Sequence, residues 1–246
     1  MTDSVIFNFF ILGEVKVRVF RFDEIDSTNR YLKDMQDKKD YDCVIAKTQT
    51  SGVGRRGNHW VSNEGMALFS FAVNEKNIKE EYTLLPLITG MVVIRALEKI
   101  ENLDYRFKWT NDIYLRDRKL CGILVEKVGS WFVIGIGINI NNMDFESAND
   151  RAISIRKITQ KFYNIGDIIY LIVDEFKKCI ENESWEYVRA QINSKNYLLD
   201  REIGIEKDGV KIGHGTAGNI ATDGRLEVEI DGEVRYFDIG EIHILK

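Results

Sequence analysis

Apolar residues recur at helical spacing through residues 83–100, whereas residues 15–22 alternate between apolar and polar, as in a half-buried β-strand. The residues at helical spacing are Leu84, Leu87, Ile88, Met91, Val92 and Leu97. Pro86, the only proline, fits the first turn of such a helix, where a backbone N–H has no helical partner in any case. One long buried helix among strands predicts an α+β fold, a mixed β-sheet with flanking helices.

Strand patterns lie on both sides of this helix. Residues 5–12 are apolar and predict a first strand or a packing arm. Further strands are predicted at residues 15–22, 43–47, 67–73, 106–109, 113–115, 121–128 and 131–140. Shorter helices are predicted from the capping residues Ser27-Thr28 to about residue 35, at 168–180 and at 185–192.

The chain changes character after Asn196, where short strand patterns alternate with tight-turn dipeptides. The turns are Asp208-Gly209, Asp223-Gly224 and Asp231-Gly232. About five strands within the last ~50 residues predict a small β-barrel. We therefore divide the chain into a main domain, residues 1–196, and a C-terminal barrel, residues 197–246.

Composition narrows the class of protein. The chain has 246 residues and a formal net charge of −5, which does not favour binding to nucleic acid or to an anionic membrane. Cys43, Cys121 and Cys179 are odd in number and far apart, which argues against a disulfide framework or a thiolate zinc site. No targeting segment is visible, and no apolar run approaches the roughly 20 residues that span a bilayer. We expect a cytoplasmic protein.

A glycine-rich loop with two arginines lies between the strands predicted at 43–47 and 67–73. It reads Gly52-Val53-Gly54-Arg55-Arg56-Gly57-Asn58-His59-Trp60. Glycines let the backbone approach a ligand and arginines add fixed positive charge, so the segment suits a phosphate or an acyl-phosphate. Its spacing matches neither a Walker loop nor a Rossmann fingerprint, and a solvated surface loop explains it equally well.

Two neighbouring segments carry charged residues at predicted strand ends. They read Lys-Trp-Thr-Asn-Asp at 108–112 and Arg-Lys-Leu-Cys-Gly-Ile-Leu-Val-Glu at 118–126. Lys108, opening a strand, can meet an anion, and Asp112 can bind Mg²⁺ or accept a proton. Gly122 gives access to the backbone in mid-strand. An ordinary hairpin with an Asn-Asp turn explains the spacing more simply.

Two further segments have two interpretations each. Gly135-Ile136-Gly137-Ile138-Asn139 could surround a pocket, with Asn139 reaching a phosphate or a metal. A buried strand in which the glycines make room for close packing is the simpler explanation. Asp26-Ser27-Thr28-Asn29 could hydrogen-bond a polar ligand ring, and helix capping explains it equally well.

Together and in this order, the segments resemble the biotin–protein ligase family from about Arg18 to the C-terminus. The motifs are Ser27-Thr28-Asn29 before a helix, Gln49 ahead of the loop that ends at Trp60, Lys-Trp-x-Asn-Asp at 108–112, Arg-Lys-Leu-x-Gly-Ile-Leu-Val-Glu at 118–126 and Gly-Ile-Gly-Ile-Asn at 135–139. The tail resembles the family's SH3-like barrel through Asp223-Gly224-Arg225-Leu226 and Gly240-Glu241-Ile242. The resemblance implies a catalytic domain of the class II synthetase type, followed by that barrel.

The resemblance also implies an activity. Such ligases join biotin to ATP with Mg²⁺, and then transfer biotin from biotinyl-5′-AMP to a lysine of a biotin carboxyl carrier protein or domain. The implied biotin contacts are Ser27, Thr28, Asn29, Gln49, Gly52, Arg55, Lys119 and Gly122. The implied contacts of ATP and the adenylate are Arg55, Arg56, Trp60, Asn111, Lys119 and Asn139. The implied catalytic residues are Arg55, Lys119 and Asp112, with Asn111 and Asp112 as Mg²⁺ ligands, whereas Trp109 is expected in the core.

The chain departs from the family pattern at three positions. Asn58 stands where the arginine loop commonly has a basic residue, and Val53 where a basic residue is frequent. Both changes remove positive charge near the adenylate and bear on its retention, although His59 supplies some polarity. Thr110 replaces a common proline, which we expect to affect conformation only.

Three other functions are compatible with parts of the sequence. A lipoate–protein ligase shares the fold and mechanism, but Gln49, the form of the arginine loop and the C-terminal barrel favour biotin. A non-catalytic module that binds biotin or the carrier would not need both Arg55 and Lys119. A small-barrel nucleic-acid binder would need a basic stripe interleaved with aromatic residues, which the tail lacks.

Two expectations concern partners. Some members of the family carry an N-terminal winged-helix domain that binds DNA. Only about a dozen residues precede the first catalytic strand here, so we expect no DNA binding. The strand predicted at 131–140 could pair with the same strand of a second copy, which predicts a homodimer.

Overall fold

The computed structural model describes residues 6–12, 15–58, 60–145, 148–207, 210–238 and 243–245. Its larger part is built on an eight-stranded sheet. The strands are β1 (Ile6–Leu12), β2 (Val15–Ile25), β3 (Cys43–Gln49), β4 (Met66–Asn74), β5 (Arg106–Lys108), β6 (Asp112–Leu115), β7 (Arg118–Val128) and β8 (Trp131–Asn139). Their order is β1-β2-β3-β4-β8-β7-β6-β5, with β2 parallel to β3 and the other described neighbours antiparallel. The predicted mixed sheet is confirmed.

Helices cover both faces of this sheet. They are α1 (Thr28–Asp34), α2 (Leu85–Ile100), α3 (Ile155–Thr159), α4 (Ile165–Asn182) and α5 (Trp185–Ser194). Successive strand residues point to opposite faces, so Val19 packs into the core with α2 and α4, whereas Phe20 packs with Leu32 of α1. The sequence did not predict α3, whose five residues are too few to show a helical period. None of the described helices is long and apolar enough to cross a bilayer.

Two helices begin where their capping residues predict. The Ser27 side chain accepts a hydrogen bond from the Arg30 N–H at 3.4 Å and so caps α1. Pro86 lies in the first turn of α2. Because α1 follows β2 directly and Ile25 of β2 is in register with Gln49 of β3, the first residues of α1 are held beside the end of β3.

The C-terminal part forms a second sheet of five antiparallel strands. They are β9 (Glu202–Lys207), β10 (Val210–Ile220), β11 (Leu226–Ile230), β12 (Glu233–Phe237) and β13 (His243–Leu245), in the order β12-β11-β10-β9-β13. Turns at Asp223-Gly224 and Asp231-Gly232 connect β10 to β11 and β11 to β12, with positive φ of 84° at Gly224 and 82° at Gly232. Asp208-Gly209 and Gly240-Glu241-Ile242 lie outside the described residues. The small β-domain is confirmed, and its boundary at residues 196 and 197 stays a prediction.

Side chains of the main domain form hydrogen bonds with the backbone of the small sheet and its turn. Trp109 is 3% exposed, as expected for a core tryptophan, and its Nε1 donates to the Gly224 carbonyl at 3.0 Å. The Asn193 side chain accepts a hydrogen bond from the Ile220 N–H at 2.8 Å and donates one to the Ile220 carbonyl at 3.1 Å. These contacts fix the small domain beside the 108–112 segment.

Replacing Trp109 with phenylalanine should lower the free energy of unfolding by about 1–3 kcal/mol, because the buried Gly224 carbonyl would lose its donor. Urea unfolding with an unchanged m-value would measure this loss. Trp131→Phe is the matched control, since Trp131 is half-buried at the start of β8 and away from the small sheet. Equal losses in the two variants would assign the effect to ring size alone.

The position of β8 overturns one prediction. β8 is hydrogen-bonded to β4 on one side and to β7 on the other over nearly all of its length. A strand with both edges paired cannot add a strand from a second copy. Homodimerisation through residues 131–140 is therefore wrong, and a homodimer through another surface stays a prediction.

Candidate active site

The motifs, although far apart in sequence, line one cavity of about 220 Å³. It lies between the start of α1, the loop after β3, and strands β6 to β8. The predicted site residues in its lining are Ser27, Thr28, Asn29, Gln49, Arg55, Arg56, Trp60, Asn111, Asp112, Lys119 and Gly122. A second cavity of about 340 Å³ adjoins it and includes Asn139. Gly52 is in neither lining; its carbonyl accepts the Trp60 N–H at 2.9 Å and so fixes that end of the loop.

Thr28 and Gln49 form one wall of the first cavity. Both the N–H and the hydroxyl of Thr28 lie within hydrogen-bond distance of Gln49 Oε1, at 2.8 and 3.0 Å. Ser27, next to them, is 4% exposed and still caps α1. The start of α1 thus carries the capping residue and also forms part of the cavity wall, and a hydrogen bond from it to a ligand stays a prediction.

Arg55 is held by a side chain that is itself fixed to the sheet. Its Nη1 donates to Asn111 Oδ1 at 3.2 Å, while Asn111 Nδ2 donates to the Ile123 carbonyl at 2.8 Å. Burial lowers the pKa of the Arg55 guanidinium, the neighbouring charge of Arg56 adds to this, and Asp112 opposes it. An arginine remains charged under such a shift. The loop thus brings a fixed positive charge to the cavity.

Lys119 and Asp112 form an ion pair at 2.7 Å between the two cavities. They approach because β6 and β7 are antiparallel and Lys119 lies opposite Tyr114, two residues from Asp112 on β6. Lys119 Nζ also lies 5.3 Å from the centre of the Trp60 ring. Lys108, by contrast, ends β5 and does not open a strand, although it reaches the first cavity.

The Trp60 indole lies on two glycines. Gly122 of β7 and Gly137 of β8 are register partners, and a Cβ on them would lie 2.8 and 2.6 Å from the Trp60 ring. Only glycine leaves room for an aromatic ring this close to the sheet. Glycine in the strand at 135–139 therefore makes room for close packing, as in the simpler interpretation. The group that packs there is the Trp60 ring, which belongs to the site.

The geometry agrees with the similarity of the chain to known proteins. The model of the Biotin/lipoate A/B protein ligase family matches residues 21–141. The chain is 31% identical over 243 residues to the bifunctional ligase/repressor BirA of Escherichia coli, which covers 89% of this chain and 72% of that protein. The chain belongs to the biotin protein ligase family.

Two further relatives support this assignment. The biotin--[acetyl-CoA-carboxylase] ligase of Mycobacterium tuberculosis is 24% identical over 208 residues, which cover 81% of this chain and 77% of that protein. The structure of biotin protein ligase from Aquifex aeolicus in complex with biotin and ATP has a TM-score of 0.82 and 30% sequence identity. That match covers 92% of this chain and 97% of the Aquifex chain. The biotin ligase fold, with its appended β-domain, is thus present along nearly the whole chain.

The second cavity of this ligase contains residues that the sequence motifs missed. Asn142, Phe145 and Arg151 lie in its wall, on the segment after β8. This segment is held against Lys119, whose N–H donates to the Arg151 carbonyl at 2.8 Å. Asn139 is 3% exposed and its Oδ1 accepts from Asn142 Nδ2 at 3.2 Å. The asparagines that follow Gly135-Ile136-Gly137-Ile138 were the available signal.

The three departures from the family pattern lie on or near the first cavity. Val53 and Asn58 line it from exposed loop positions, and the Asn58 carbonyl accepts the Gly54 N–H at 2.7 Å. Asn58 thus contributes to the loop through its backbone. Thr110 is buried, and its Oγ1 donates to Asn111 Oδ1 at 3.1 Å. His59 lies outside the described residues.

Proposed function

We propose that this chain activates biotin with ATP and transfers it to a lysine of a biotin carboxyl carrier protein or domain. The proposal rests above all on the wall shared by the two cavities, since Trp60, Asp112 and Lys119 line both. With biotin in the first cavity and ATP in the second, the two substrates would meet at Lys119. In the first half-reaction, a biotin carboxylate oxygen attacks the α-phosphorus of ATP, and the bond to the departing pyrophosphate breaks.

Two fixed cations suit this step. Negative charge develops on the non-bridging oxygens of the α-phosphate and on the leaving pyrophosphate. The Lys119 ammonium and the Arg55 guanidinium both line the first cavity, the former on the wall shared with the second. Donors already held in place stabilise such charge without further reorganisation, and one such donor is typically worth ~2.7–4 kcal/mol. We assign both residues to the activation of biotin.

Mg²⁺ would reach this site mainly through ATP. The described part of the chain contains no group of three or more His, Cys, Asp or Glu residues placed to hold a metal. Mg²⁺ commonly binds through one or two carboxylates together with substrate phosphates, so Asp112 suits it as a protein ligand. Asn111 Oδ1 already accepts hydrogen bonds from Arg55 and Thr110, which leaves it a weaker candidate. The ion would neutralise phosphate charge.

In the second half-reaction, the carrier lysine nitrogen attacks the acyl carbon of biotinyl-5′-AMP. The bond between that carbon and the phosphate oxygen breaks, and AMP leaves. The incoming ammonium must first lose a proton. Asp112 is the carboxylate of the shared wall, and we assign it the role of orienting the amine or accepting that proton.

The competing functions fit the site less well. A lipoate–protein ligase would place a dithiolane ring without N–H groups against the acceptor oxygen of Gln49. A binding module without catalysis would not need two half-buried cations, Arg55 and Lys119, beside the acyl end of its ligand. The C-terminal sheet is hydrogen-bonded to the main domain through Trp109. This arrangement gives no support to a separate nucleic-acid binder.

We place the reaction in the cytoplasm, where ATP and carboxylases that carry biotin occur together. Cys43, Cys121 and Cys179 are buried free thiols, which agrees with a reducing compartment. Burial raises the pKa of the Cys43 and Cys121 thiols. It also raises the pKa of the Cys179 thiol, to about 12, so none of the three is a reactive thiolate at neutral pH.

The proposal predicts that the purified chain, with MgATP and a biotin carrier domain, adds one biotin to the carrier's target lysine. Mass spectrometry of the carrier measures this directly. ATP–pyrophosphate exchange should require biotin and should not start with lipoate. Exchange with lipoate alone would support the lipoate ligase, and biotin binding without exchange or carrier modification would support the binding module.

A further inference from the structure

A line of hydrogen-bonded side chains runs from the first cavity to the protein surface. Ser70 is fully buried in β4, lies 2.7 Å from Thr28 Oγ1 and donates to Asn29 Oδ1 at 2.5 Å. Asn29 Nδ2 donates to Glu126 Oε2 at 2.8 Å, and Lys33 Nζ pairs with Glu126 Oε1 at 2.7 Å. Ser70 and Glu126 are not in the cavity lining. They can therefore act on a ligand only through Thr28 and Asn29.

The carboxylate at the outer end sets the direction of these hydrogen bonds. Glu126, ion-paired with Lys33, can only accept, so Asn29 turns its Nδ2 toward Glu126 and its Oδ1 toward Ser70. Since Oδ1 also only accepts, the single hydroxyl hydrogen of Ser70 points to Asn29. Ser70 then offers only lone pairs to Thr28, whose own hydroxyl must be the donor in the 2.7 Å contact.

This direction decides what Thr28 presents to the cavity. Its single hydroxyl hydrogen points to Ser70 at 2.7 Å and not to Gln49 Oε1, the more distant acceptor at 3.0 Å, so its free lone pairs act as acceptors. Gln49 Oε1 accepts the Thr28 N–H at 2.8 Å, which turns the amide oxygen toward Thr28. The cavity wall therefore presents two neighbouring acceptor oxygens. A ligand with N–H groups on a small ring, such as a cyclic urea, matches them.

We propose that Ser70, Asn29 and Glu126 are positioning residues, which hold the Thr28 hydroxyl as an acceptor for a ligand N–H. The inference rests on the proposed function, since it takes biotin as the ligand of the first cavity. Gly135 makes the arrangement possible, because a Cβ there would lie 2.0 Å from Asn29 Oδ1. Asn29 thus lines the cavity while both ends of its amide are bonded to protein groups.

The first test is a double-mutant cycle on the Kd for biotin, measured by calorimetry on the full chain. In Ser70→Ala the Thr28 hydrogen can turn to Gln49 Oε1, 3.0 Å away, so Kd should rise roughly tenfold. In a Thr28→Val background, Ser70→Ala should add less than about twofold, because the hydroxyl through which Ser70 acts is absent. The kcat at saturating biotin and the KM for ATP should not change.

The second test reverses the direction at the surface, where folding is least affected. Exchanging the charges in Lys33→Glu/Glu126→Lys keeps an ion pair but places a donor beside Asn29. Asn29 would then donate to Ser70 and Ser70 to Thr28. The Thr28 hydrogen would turn to Gln49 Oε1, as in Ser70→Ala, and Kd should rise roughly tenfold. The matched control is the exchange Lys127→Glu/Glu75→Lys, an ion pair at 2.8 Å with no bond to this line, which should leave Kd unchanged.

The outcomes separate the two proposals. If Ser70→Ala weakens biotin equally with and without the Thr28 hydroxyl, or if the exchange at Lys33 and Glu126 leaves Kd unchanged, these residues do not position Thr28. If Ser70→Ala fails to fold, the surface exchange alone decides. A wild-type chain that binds no biotin would overturn the proposed function instead.

Discussion

Replacing Lys119 with methionine should lower kcat for biotin-dependent ATP–pyrophosphate exchange by about 10²–10³-fold, the loss typical of removing one donor from developing charge. Lys119 Nζ lies 2.7 Å from Asp112 and between the two cavities, where the mixed anhydride would form. Methionine keeps an unbranched side chain and removes the charge. Because the ammonium acts on charge that develops in the transition state, kcat and kcat/KM should fall together. Steady-state exchange at saturating biotin and MgATP measures both.

Lys127→Met is the matched control, since it removes a lysine from the same strand. Lys127 is exposed, pairs with Glu75 at 2.8 Å and lies outside both cavities. Exposed ion pairs contribute little, so exchange should stay within about twofold of wild type. A similarly small change in Lys119→Met, with biotin still bound, would contradict the catalytic role of Lys119.

The order of the elements was predictable because local chemistry determines where they begin. Ser27 can cap a helix only at its start, and Pro86 is tolerated only in a first turn, so α1 and α2 begin where the sequence indicates. The Asp223-Gly224 turn likewise marks a strand connection. Each of these signals lies within a few residues of its effect.

Contacts between distant segments were less predictable. Strand order depends on pairing, and the period of residues 131–140 alone cannot tell an edge strand from the interior strand that β8 is. Its apolar residues on both faces were the available warning, because a strand covered on both sides reads as a continuous apolar run.

The site shows the same limit. The family motifs name Thr28 and Asn29 but give no reason to look at Ser70, which is 41 residues from Asn29. Its signal is weak but real, since a serine in the middle of a buried apolar strand needs a hydrogen-bond partner. Trp60 shows the converse, since the ring was predicted as a ligand contact, whereas its packing on Gly122 and Gly137 was not predicted.

Replacing Gly137 with alanine should raise the KM for both biotin and ATP roughly tenfold to a hundredfold, the range expected if the buried surface of one aromatic ring is lost. A Cβ at this position would lie 2.6 Å from Cε2 and 2.7 Å from Nε1 of Trp60. The ring must therefore lift from the sheet. Because Trp60 lines both cavities, one displacement should affect both substrates. Initial rates with each substrate varied in turn measure the two KM values.

Gly213→Ala in β10 is the matched control, because a Cβ there has no atom within 4 Å and the strand lies in the other sheet. It should leave both KM values unchanged. Combining Gly137→Ala with Trp60→Ala then tests the route of the effect. If the methyl group acts by displacing the indole, it should add almost nothing once the indole is absent. An undiminished effect in that background would mean that Gly137 shapes the cavities directly and that the methyl group does not act through the Trp60 ring.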